Sequence, residues 1–283
     1  MLDLLAAQPG LFVGVALLFG LLAGSFFNVV GYRLPRMLDR EWREQCAFLT
    51  GAAPVEGVPR YDLLVSRSAC PHCGHVIAWF ENIPIFSWLF LRGRCSNCQE
   101  SISVRYPIVE ASTGLLYGLA AWHWGFGAQA LFAWVLLSGL IVLSVIDLDT
   151  QLLPDVITLP LAWMGLLVNL GGVFAPLDEA VLGGVVGYGS LWLVYQLFKL
   201  ATGKEGMGFG DFKLLSALGC WLGWKLLLPV VLMASLGGAL IGILLIVVSG
   251  RDQGKPLPFG PWLALGGGLA LFLGDGLLKV WLG

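Results

Sequence analysis

The sequence predicts an all-α polytopic membrane protein with about eight transmembrane helices and a small cytoplasmic insert. Three observations lead to this fold class. Hydrophobic residues make up 58% of the 283 residues and charged residues only 12%, about half the charged fraction of a soluble domain. Apolar runs that can cross a bilayer core of ~30 Å recur along the chain. The 39 glycines are typical of helices that pack closely in lipid.

Eight apolar segments are long enough, or nearly long enough, to span a membrane. They lie near residues 11–31, 106–124, 128–147, 155–174, 177–198, 210–224, 227–249 and 259–281. The sixth is the shortest and contains glycine. We therefore expect residues 1–31 to carry the first transmembrane helix, residues 32–105 to form the insert, and residues 106–283 to form a seven-helix membrane core.

The basic residues predict the orientation in the membrane. No Lys or Arg precedes the first segment, but Arg33 and Arg36 follow it, which favours a cytoplasmic C-terminal end over a secretory signal peptide. Alternate crossings then place residues 32–105, 148–154, 199–209 and 250–258 inside. Of the 16 Lys and Arg residues, 13 lie in these inner segments and Lys213 lies just beyond one of them, which leaves only Lys225 and Lys279 outside. Both termini should therefore lie outside.

Four cysteines of the insert form two CxxC pairs, CPHC and CSNC, which are separated by 21 residues. Each pair supplies two thiolates from one tight turn, and the two pairs close a tetrahedral zinc site. Four thiolates leave no open position on the metal, so the zinc should be structural. A cytoplasmic location argues against the alternative of disulfides, and redox chemistry is a further alternative. The predicted ligands are Cys70, Cys73, Cys95 and Cys98, although His72 or His75 could replace a thiolate.

Other features of the insert leave their roles open. Between the two cysteine pairs, ENIPIFSWLFLRGRC (residues 81–95) is apolar with a basic end. This stretch could lie against the membrane surface or form the core of the insert. Cys46 has no evident partner, and Glu110, in the second apolar segment, is either structural or substrate-facing.

Two aspartates stand at the ends of apolar segments. Asp147 closes the third segment in SVIDLDTQLLPD, and Asp211 opens the sixth in GMGFGDFK. The predicted topology places both at the cytoplasmic face, and ionisable residues in such segments are functional candidates. Two carboxylates at one depth can share a proton, activate water and polarise a carbonyl, as an aspartyl protease requires. Asp149 is the alternative to Asp147, and Asp155 is predicted to cap the fourth helix.

Glycines precede Asp211 at alternate positions. Gly208 and Gly210 remove side chains beside the carboxylate, so an extended peptide could approach it, and glycine also permits a positive φ there. The alternative is that they serve only a loop-to-helix turn. The N-terminal end of the sixth helix favours a negative charge on Asp211, whereas the carbonyl end of the third helix disfavours one on Asp147. We therefore expect Asp147 to hold the shared proton.

Taken together, several motifs resemble the bacterial type IV prepilin peptidases, which are GxGD-type membrane aspartyl proteases. The resemblance is carried by GSFFNVVGYRLP (residues 24–35), the two CxxC pairs around ENIPIFSWLFLRGRC, SVIDLDTQLLPD and GMGFGDFK. They follow one another in the family's order over nearly the whole chain. The resemblance places the family's catalytic aspartates on Asp147 and Asp211, and its four zinc-type cysteines on the two CxxC pairs.

The resemblance also implies the activity. The family consists of inner-membrane enzymes that cleave the leader of type IV prepilins and type II secretion pseudopilins at the cytoplasmic face, then methylate the new N-terminal residue from S-adenosylmethionine. No strand–GxGxxG–helix pattern marks a cofactor site, so the insert is the candidate region, with Glu81, Asn82, Arg92 and Gly93 as contacts. The expected partners are prepilins, pseudopilins and membrane lipid, without nucleic acid.

Two other functional classes also have membrane carboxylates or cysteine inserts. A transporter could use Asp147 and Asp211 as an ion relay, but it would not need four cysteines, and its acids usually lie near mid-membrane. A zinc-anchored assembly scaffold would leave the aspartate pair unexplained.

Overall fold

The computed structural model describes residues 2–51, 62–63, 68–249 and 257–282, and throughout these ranges the regular structure is helical. Only two isolated bridges, Ala69–Val76 and Arg94–Ser101, add extended pairing to the helices of the described ranges. This confirms the all-α prediction. The chain divides into two compact units, Met1–Gly125 and Phe126–Gly283. Helix 105–124 lies in the first of these units, and the predicted division into residues 1–31, 32–105 and 106–283 stays a prediction.

The first unit is built on one long helix. It contains α1 (Leu2–Ala7), α2 (Pro9–Thr50), a 3-10 turn (Trp79–Asn82), α3 (Phe86–Phe90) and α4 (Arg105–Trp124). Helix α2 extends through Pro35, so residues 32–50 are helical rather than loop. Helix α4 packs closely on the apolar part of α2, because a Cβ at Gly20 would lie 2.8 Å from Gly114 Cα and one at Gly24 2.7 Å from Glu110 Cα.

The second unit surrounds a short buried helix. Its helices are α5 (Ala128–Thr150), α6 (Asp155–Asn169), α7 (Leu177–Thr202), α8 (Phe209–Leu222), α9 (Leu227–Ser249) and α10 (Gly260–Leu282), with a 3-10 turn at Trp224–Leu226. Helix α8 has 14 residues, which span only ~21 Å. Phe212, Leu215 and Trp221 on it are fully buried. Its neighbours therefore shield α8 from lipid, and it need not match the bilayer thickness.

Close backbone contact and one buried asparagine fix α8 in place. The backbones of Gly183 in α7 and Gly219 in α8 touch each other, as expected for helices that associate through small residues. Asn169, at the end of α6, donates to the carbonyls of Cys220 and Trp221, both at 2.9 Å. Its own side-chain oxygen accepts the backbone N–H groups of residues 174 and 175. The carbonyls of these two residues in the last turn of α8 are thereby paired within the protein.

Four of the described helices are long and apolar enough to cross a membrane. They are Pro9–Thr50, Ala128–Thr150, Leu177–Thr202 and the stretch Trp224–Val248, while Asp155–Asn169 and Gly260–Gly274 are shorter apolar helices. The protein is thus an all-helical membrane protein. Each of the eight predicted segments coincides with a helix, but eight crossings remain a prediction. The helices at Arg105–Trp124 and Phe209–Leu222 are not among the four.

Candidate active site and metal centre

Helix α5 carries Asp147 in its last turn. The side chain is buried, with 4% of its surface exposed, whereas Asp149, two residues further along, is exposed. The Oδ2 atom of Asp147 accepts a hydrogen bond from the backbone N–H of Gly260 at 2.9 Å. Gly260 begins α10, so the start of the last helix meets the end of α5 at this carboxylate. The burial favours Asp147 over Asp149 as the candidate for the first catalytic position.

Asp211 lies in the first turn of α8. It is also buried, with 9% of its surface exposed, and the backbone N–H of Gly208 hydrogen-bonds its carboxylate. Gly208 is the N-cap residue of α8, so Asp211 occupies the helix end where unpaired N–H groups favour an anion. Asp147 and Asp211 are close enough to repel each other electrostatically.

Leu153 connects the surroundings of the two aspartates. A Cβ added at Gly210 would lie 2.8 Å from Leu153 Cβ, and one added at Gly260 would lie 3.0 Å from Leu153 Cδ2. The residue before Asp211 and the residue that binds Asp147 therefore pack against the same side chain. The structure brings the two predicted aspartates together in one unit, although they are 64 residues apart in sequence. Their catalytic role stays a prediction.

The glycines before Asp211 do not use the left-handed backbone that glycine permits. Gly208 has φ −81 and ψ 149, and neither Gly206 nor Gly210 is among the residues with positive φ. Gly206 packs against Phe198 and Gly210 against Leu153, whereas a Cβ at Gly208 would meet nothing closer than Asp211 Oδ2 at 4.0 Å. Gly210 therefore permits close packing, and Gly208 leaves open space beside the carboxylate.

The assignment of the shared proton to Asp147 stays a prediction. It rests on the carbonyl end of α5, but the N–H of Gly260 also donates directly to Asp147. Each carboxylate thus has one backbone N–H donor, from Gly260 or from Gly208. The two helix ends therefore give no basis for assigning a proton to one member of the pair rather than the other.

Asp155 does not cap α6 with its side chain, contrary to the sequence prediction. The N-cap residue is Pro154, and no side-chain cap bond is present there. Instead, Lys213 Nζ lies 2.7 Å from both carboxylate oxygens of Asp155. This ion pair joins the start of α6 to α8, two residues beyond Asp211. It therefore ties the segment that follows Asp147 to the helix that carries Asp211.

Replacing Gly260 by alanine should lower leader cleavage without unfolding the protein. The new Cβ would lie 2.7 Å from Asp147 Oδ2 and 3.0 Å from Leu153 Cδ2, so the carboxylate must move. A displacement of ~1 Å costs up to about 100-fold in rate, and we expect a loss of at least roughly tenfold in kcat. Gly268→Ala in the same helix is the control, since nothing lies within 4 Å of its Cβ. Equal cleavage by the two variants would contradict the assignment of this contact.

Breaking the Lys213–Asp155 pair should slow cleavage and leave the free energy of unfolding nearly unchanged. The pair is partly exposed, with 28% and 53% of the side chains accessible, and such pairs contribute only ~0.2–1 kcal/mol to stability. We expect Lys213→Met to lower kcat by about fivefold with unfolding nearly unchanged. Lys199→Met, which breaks the exposed pair with Glu205 at 2.8 Å, is the matched control. An exchanged pair, Lys213→Asp with Asp155→Lys, should restore part of the rate.

The four cysteines of the two CxxC pairs converge in the first unit. Their sulfur atoms all lie within 4.8 Å of one another, with Cys70–Cys98 at 3.7 Å and Cys73–Cys95 at 4.0 Å. A tetrahedron with Zn–S bonds of ~2.3 Å has edges of about 3.8 Å. All four cysteines are free rather than disulfide-bonded. The cluster therefore fits a metal ion, and zinc is the proposal that four thiolates support best.

The two CxxC turns have the same backbone design. The N–H of Cys70 bonds the carbonyl of His75 at 2.9 Å, and the N–H of Cys95 bonds that of Glu100 at 2.8 Å. The residue after each second cysteine has a positive φ, 70 at Gly74 and 60 at Gln99. These matched turns aim both thiols of each pair at one point, as two zinc knuckles would.

Hydrogen-bond donors surround the sulfur atoms. The backbone N–H of His75 and the side-chain amide of Asn97 lower the pKa of Cys73 to about 6. The backbone N–H groups of Cys98 and Asn97 likewise lower the pKa of Cys95. These donors favour the thiolate at Cys73 and Cys95, which is the form that binds a metal, whereas burial and the neighbouring thiols raise the pKa of Cys98. His75 itself contacts Glu81 at 3.2 Å, and His72 is exposed.

Of the four predicted cofactor contacts, two are in contact with other residues of the insert and two are exposed. The Ser96 hydroxyl and the Ala78 N–H hold the pKa of Glu81 below its ordinary value, with His75 adding a further contact. Gly93 has φ 68, and its Cβ position is filled by the Trp88 ring at 2.9 Å. Glu81 and Gly93 thus already contact other residues of the insert. Asn82 and Arg92 are exposed, and all four cofactor roles stay predictions.

Fold and site together describe a polytopic helical membrane protein with a buried aspartate pair and a four-cysteine insert, the class to which membrane aspartyl peptidases belong. Residues 18–124 match the model of the bacterial peptidase A24 N-terminal domain. Residues 134–243 match the model of the type IV leader peptidase family. The chain belongs to this family.

Curated relatives extend the similarity over the full length. The prepilin leader peptidase/N-methyltransferase of Pseudomonas aeruginosa is 50% identical over 286 aligned residues, which cover 100% of this chain and 97% of the relative. The proteins of the same name from Aeromonas hydrophila and Stutzerimonas stutzeri are each 52% identical, covering 100% and 96% of this chain and 98% and 94% of the relative. No solved structure matches the chain.

Proposed function

We propose that the chain is a prepilin leader peptidase and N-methyltransferase of the bacterial inner membrane. It removes the leader of type IV prepilins and type II secretion pseudopilins, then methylates the new N-terminal residue. Full-length identity of about half to relatives with that name supports the activity. The single structural observation that carries the peptidase half is the buried pair Asp147 and Asp211, held by backbone N–H groups in one unit.

The aspartate pair supplies the chemistry of peptide hydrolysis. Asp147 and Asp211 share one proton, because two neighbouring carboxylates in a buried site cannot both ionise cheaply. The ionised member takes a proton from the attacking water, and the protonated member donates to the scissile carbonyl oxygen. The N–H donors of Gly260 and Gly208 hold the two carboxylates in place. The open space at Gly208 lets the extended backbone around the cleavage site approach Asp211.

The second activity uses the insert. S-adenosylmethionine supplies the methyl group that the free N-terminal amine accepts. The exposed side chains of Asn82 and Arg92 are proposed to contact the cofactor directly. Glu81 and Gly93 are proposed to shape that site, since hydrogen bonds and the Trp88 ring already engage them. Zinc bound by the four cysteines would hold the insert together and take no part in either reaction.

Both termini are proposed to be periplasmic, with the insert and the aspartates on the cytoplasmic side. The native Cys46, exposed on α2, reports on this orientation. An impermeant maleimide should label Cys46 only after the cells are permeabilised, because positive charge keeps the flanking segment inside. A Cys46→Ser variant identifies the signal, and Ala128→Cys, at the start of α5, should react on intact cells. Labelling of Cys46 on intact cells would overturn the orientation.

One assay tests both halves of the proposal. The purified full chain is incubated in detergent with a prepilin and methyl-labelled S-adenosylmethionine, and the products are analysed by mass. The expected products are a shortened pilin and label on its new N-terminus. Intact prepilin after incubation with folded enzyme would argue instead for an ion relay or a scaffold. A relay would further show proton flux that depends on Asp147 and Asp211 in liposomes.

A further inference from the structure

We propose that the insert's Trp79–Phe90 segment dips into the cytoplasmic leaflet of the bilayer and is covered there by lipid. This surface, here called the aromatic wedge, consists of the exposed side chains of Trp79, Phe80, Phe86, Leu89 and Phe90. The sequence left open whether this stretch lies on the membrane or forms the core of the insert. The proposal does not depend on which reactions the protein catalyses.

The first support is the depth at which the segment is attached. The N–H of Ile85 donates to Glu110 Oε2 at 2.7 Å, and the Ser25 hydroxyl of α2 bonds the same carboxylate. Ile85 is therefore level with Ser25, which lies eight residues before Arg33 on a continuous helix. Eight residues of helix correspond to ~12 Å. The attachment point thus lies at the level of the apolar, membrane-spanning part of α2, on the N-terminal side of Arg33, the first charged residue of that helix.

The second support is that the backbone of the segment is suited to lipid. Irregular backbone at membrane depth requires internal partners for its polar groups. The N–H of Phe86 bonds Pro84 O, that of Ser87 bonds Ile83 O, and that of Leu89 bonds Ile85 O. Ile85 has φ 63 and ψ −51, a conformation that costs about 1–3 kcal/mol and persists where its surroundings hold it. The bond to Glu110 provides that hold.

The third support is the direction of the side chains. Trp88 faces inward, where its Nε1 donates to Ile102 O at 3.1 Å and its ring packs on Gly93. Phe86, Leu89 and Phe90 occupy the other face of α3, as i, i+3 and i+4 positions do. Phe90 is 89% exposed and Trp79 82%. No other described residue covers these apolar side chains. An exposed arginine, Arg94, follows Phe90 by four residues, and aromatic side chains near basic ones are typical of the bilayer interface.

Photo-cross-linking tests the occupant directly. p-Benzoylphenylalanine replaces Phe90, and the full-length protein is irradiated in nanodiscs of phosphatidylethanolamine and phosphatidylglycerol. Phe48 is the matched control, since it is 87% exposed but lies 15 helical residues, or ~22 Å, beyond Arg33. We expect lipid adducts at position 90 in at least roughly fivefold higher yield than at position 48.

Each other outcome contradicts the proposal. Equal lipid yields at positions 90 and 48 would show that the wedge lies in water. Cross-links from position 90 to residues 126–283 or to a second copy would show that protein covers it. Loss of the lipid adducts when a prepilin is added would identify the surface as a substrate groove rather than a membrane anchor.

Discussion

Asparagine at Asp147 or at Asp211 should abolish leader cleavage while leaving the protein folded. Asparagine has nearly the shape of aspartate and can still accept the N–H bond from Gly260 or from Gly208. It cannot take a proton from water or share one with its partner. General acid–base catalysis contributes about 100- to 10,000-fold, so we expect a loss of at least roughly 1,000-fold from either substitution.

Three controls separate catalysis from folding for these variants. Asp149→Asn, in the same turn as Asp147 but exposed, should cleave at nearly the normal rate. The variants Asp147→Asn and Asp211→Asn should still methylate a pilin that has already been cleaved. The double variant should be no slower than either single one, because the pair acts as one unit. Near-normal cleavage by Asp211→Asn would refute the catalytic assignment.

The aspartate pair could be found from sequence because a carboxylate at the end of an apolar segment is costly and stands out. Its supporting contacts could not be found in the same way. Gly260 lies 113 residues from Asp147, and no local pattern links the two. A glycine at the start of the last apolar segment was the only local sign. The ion pair from Lys213 to Asp155 also joins residues that are far apart in sequence, by 58 positions, so Asp155 was assigned to a local helix cap.

The boundaries of α2 show a different limit. The apolar run ends near residue 31, and Pro35 is ordinarily a sign that a helix stops. The helix nevertheless continues to Thr50, through a polar stretch whose helical state no apolar periodicity reveals. Helix α2 is longer than its apolar run, whereas α8 is shorter than a bilayer-spanning helix, which made its transmembrane assignment weak. Because α8 is buried among α6, α7 and α10, it does not need the length of a lipid-facing helix.

Serine at Cys70 or Cys95 should remove the metal and collapse the insert. Among the described residues from 68 to 104, only Pro84, Gly93 and Cys95 are buried, so this region has almost no apolar core of its own. Its fold must then depend on the metal, and structural zinc contributes about 10–16 kcal/mol in small peptides of this kind. We expect about one zinc per chain in the native protein and less than roughly half in either variant.

The loss of metal should lower methylation much more than leader cleavage. Methylation should fall by at least roughly tenfold in Cys70→Ser and Cys95→Ser, since the proposed cofactor contacts lie between the two CxxC turns and depend on them for position. Cleavage should fall much less, because Asp147 and Asp211 belong to the other compact unit. Cys46→Ser is the matched control, as Cys46 is exposed and outside the cluster. Elemental analysis measures the metal, and limited proteolysis of residues 68–104 measures the fold. A metal-free variant that resists protease and still methylates would show that the cysteines have another role.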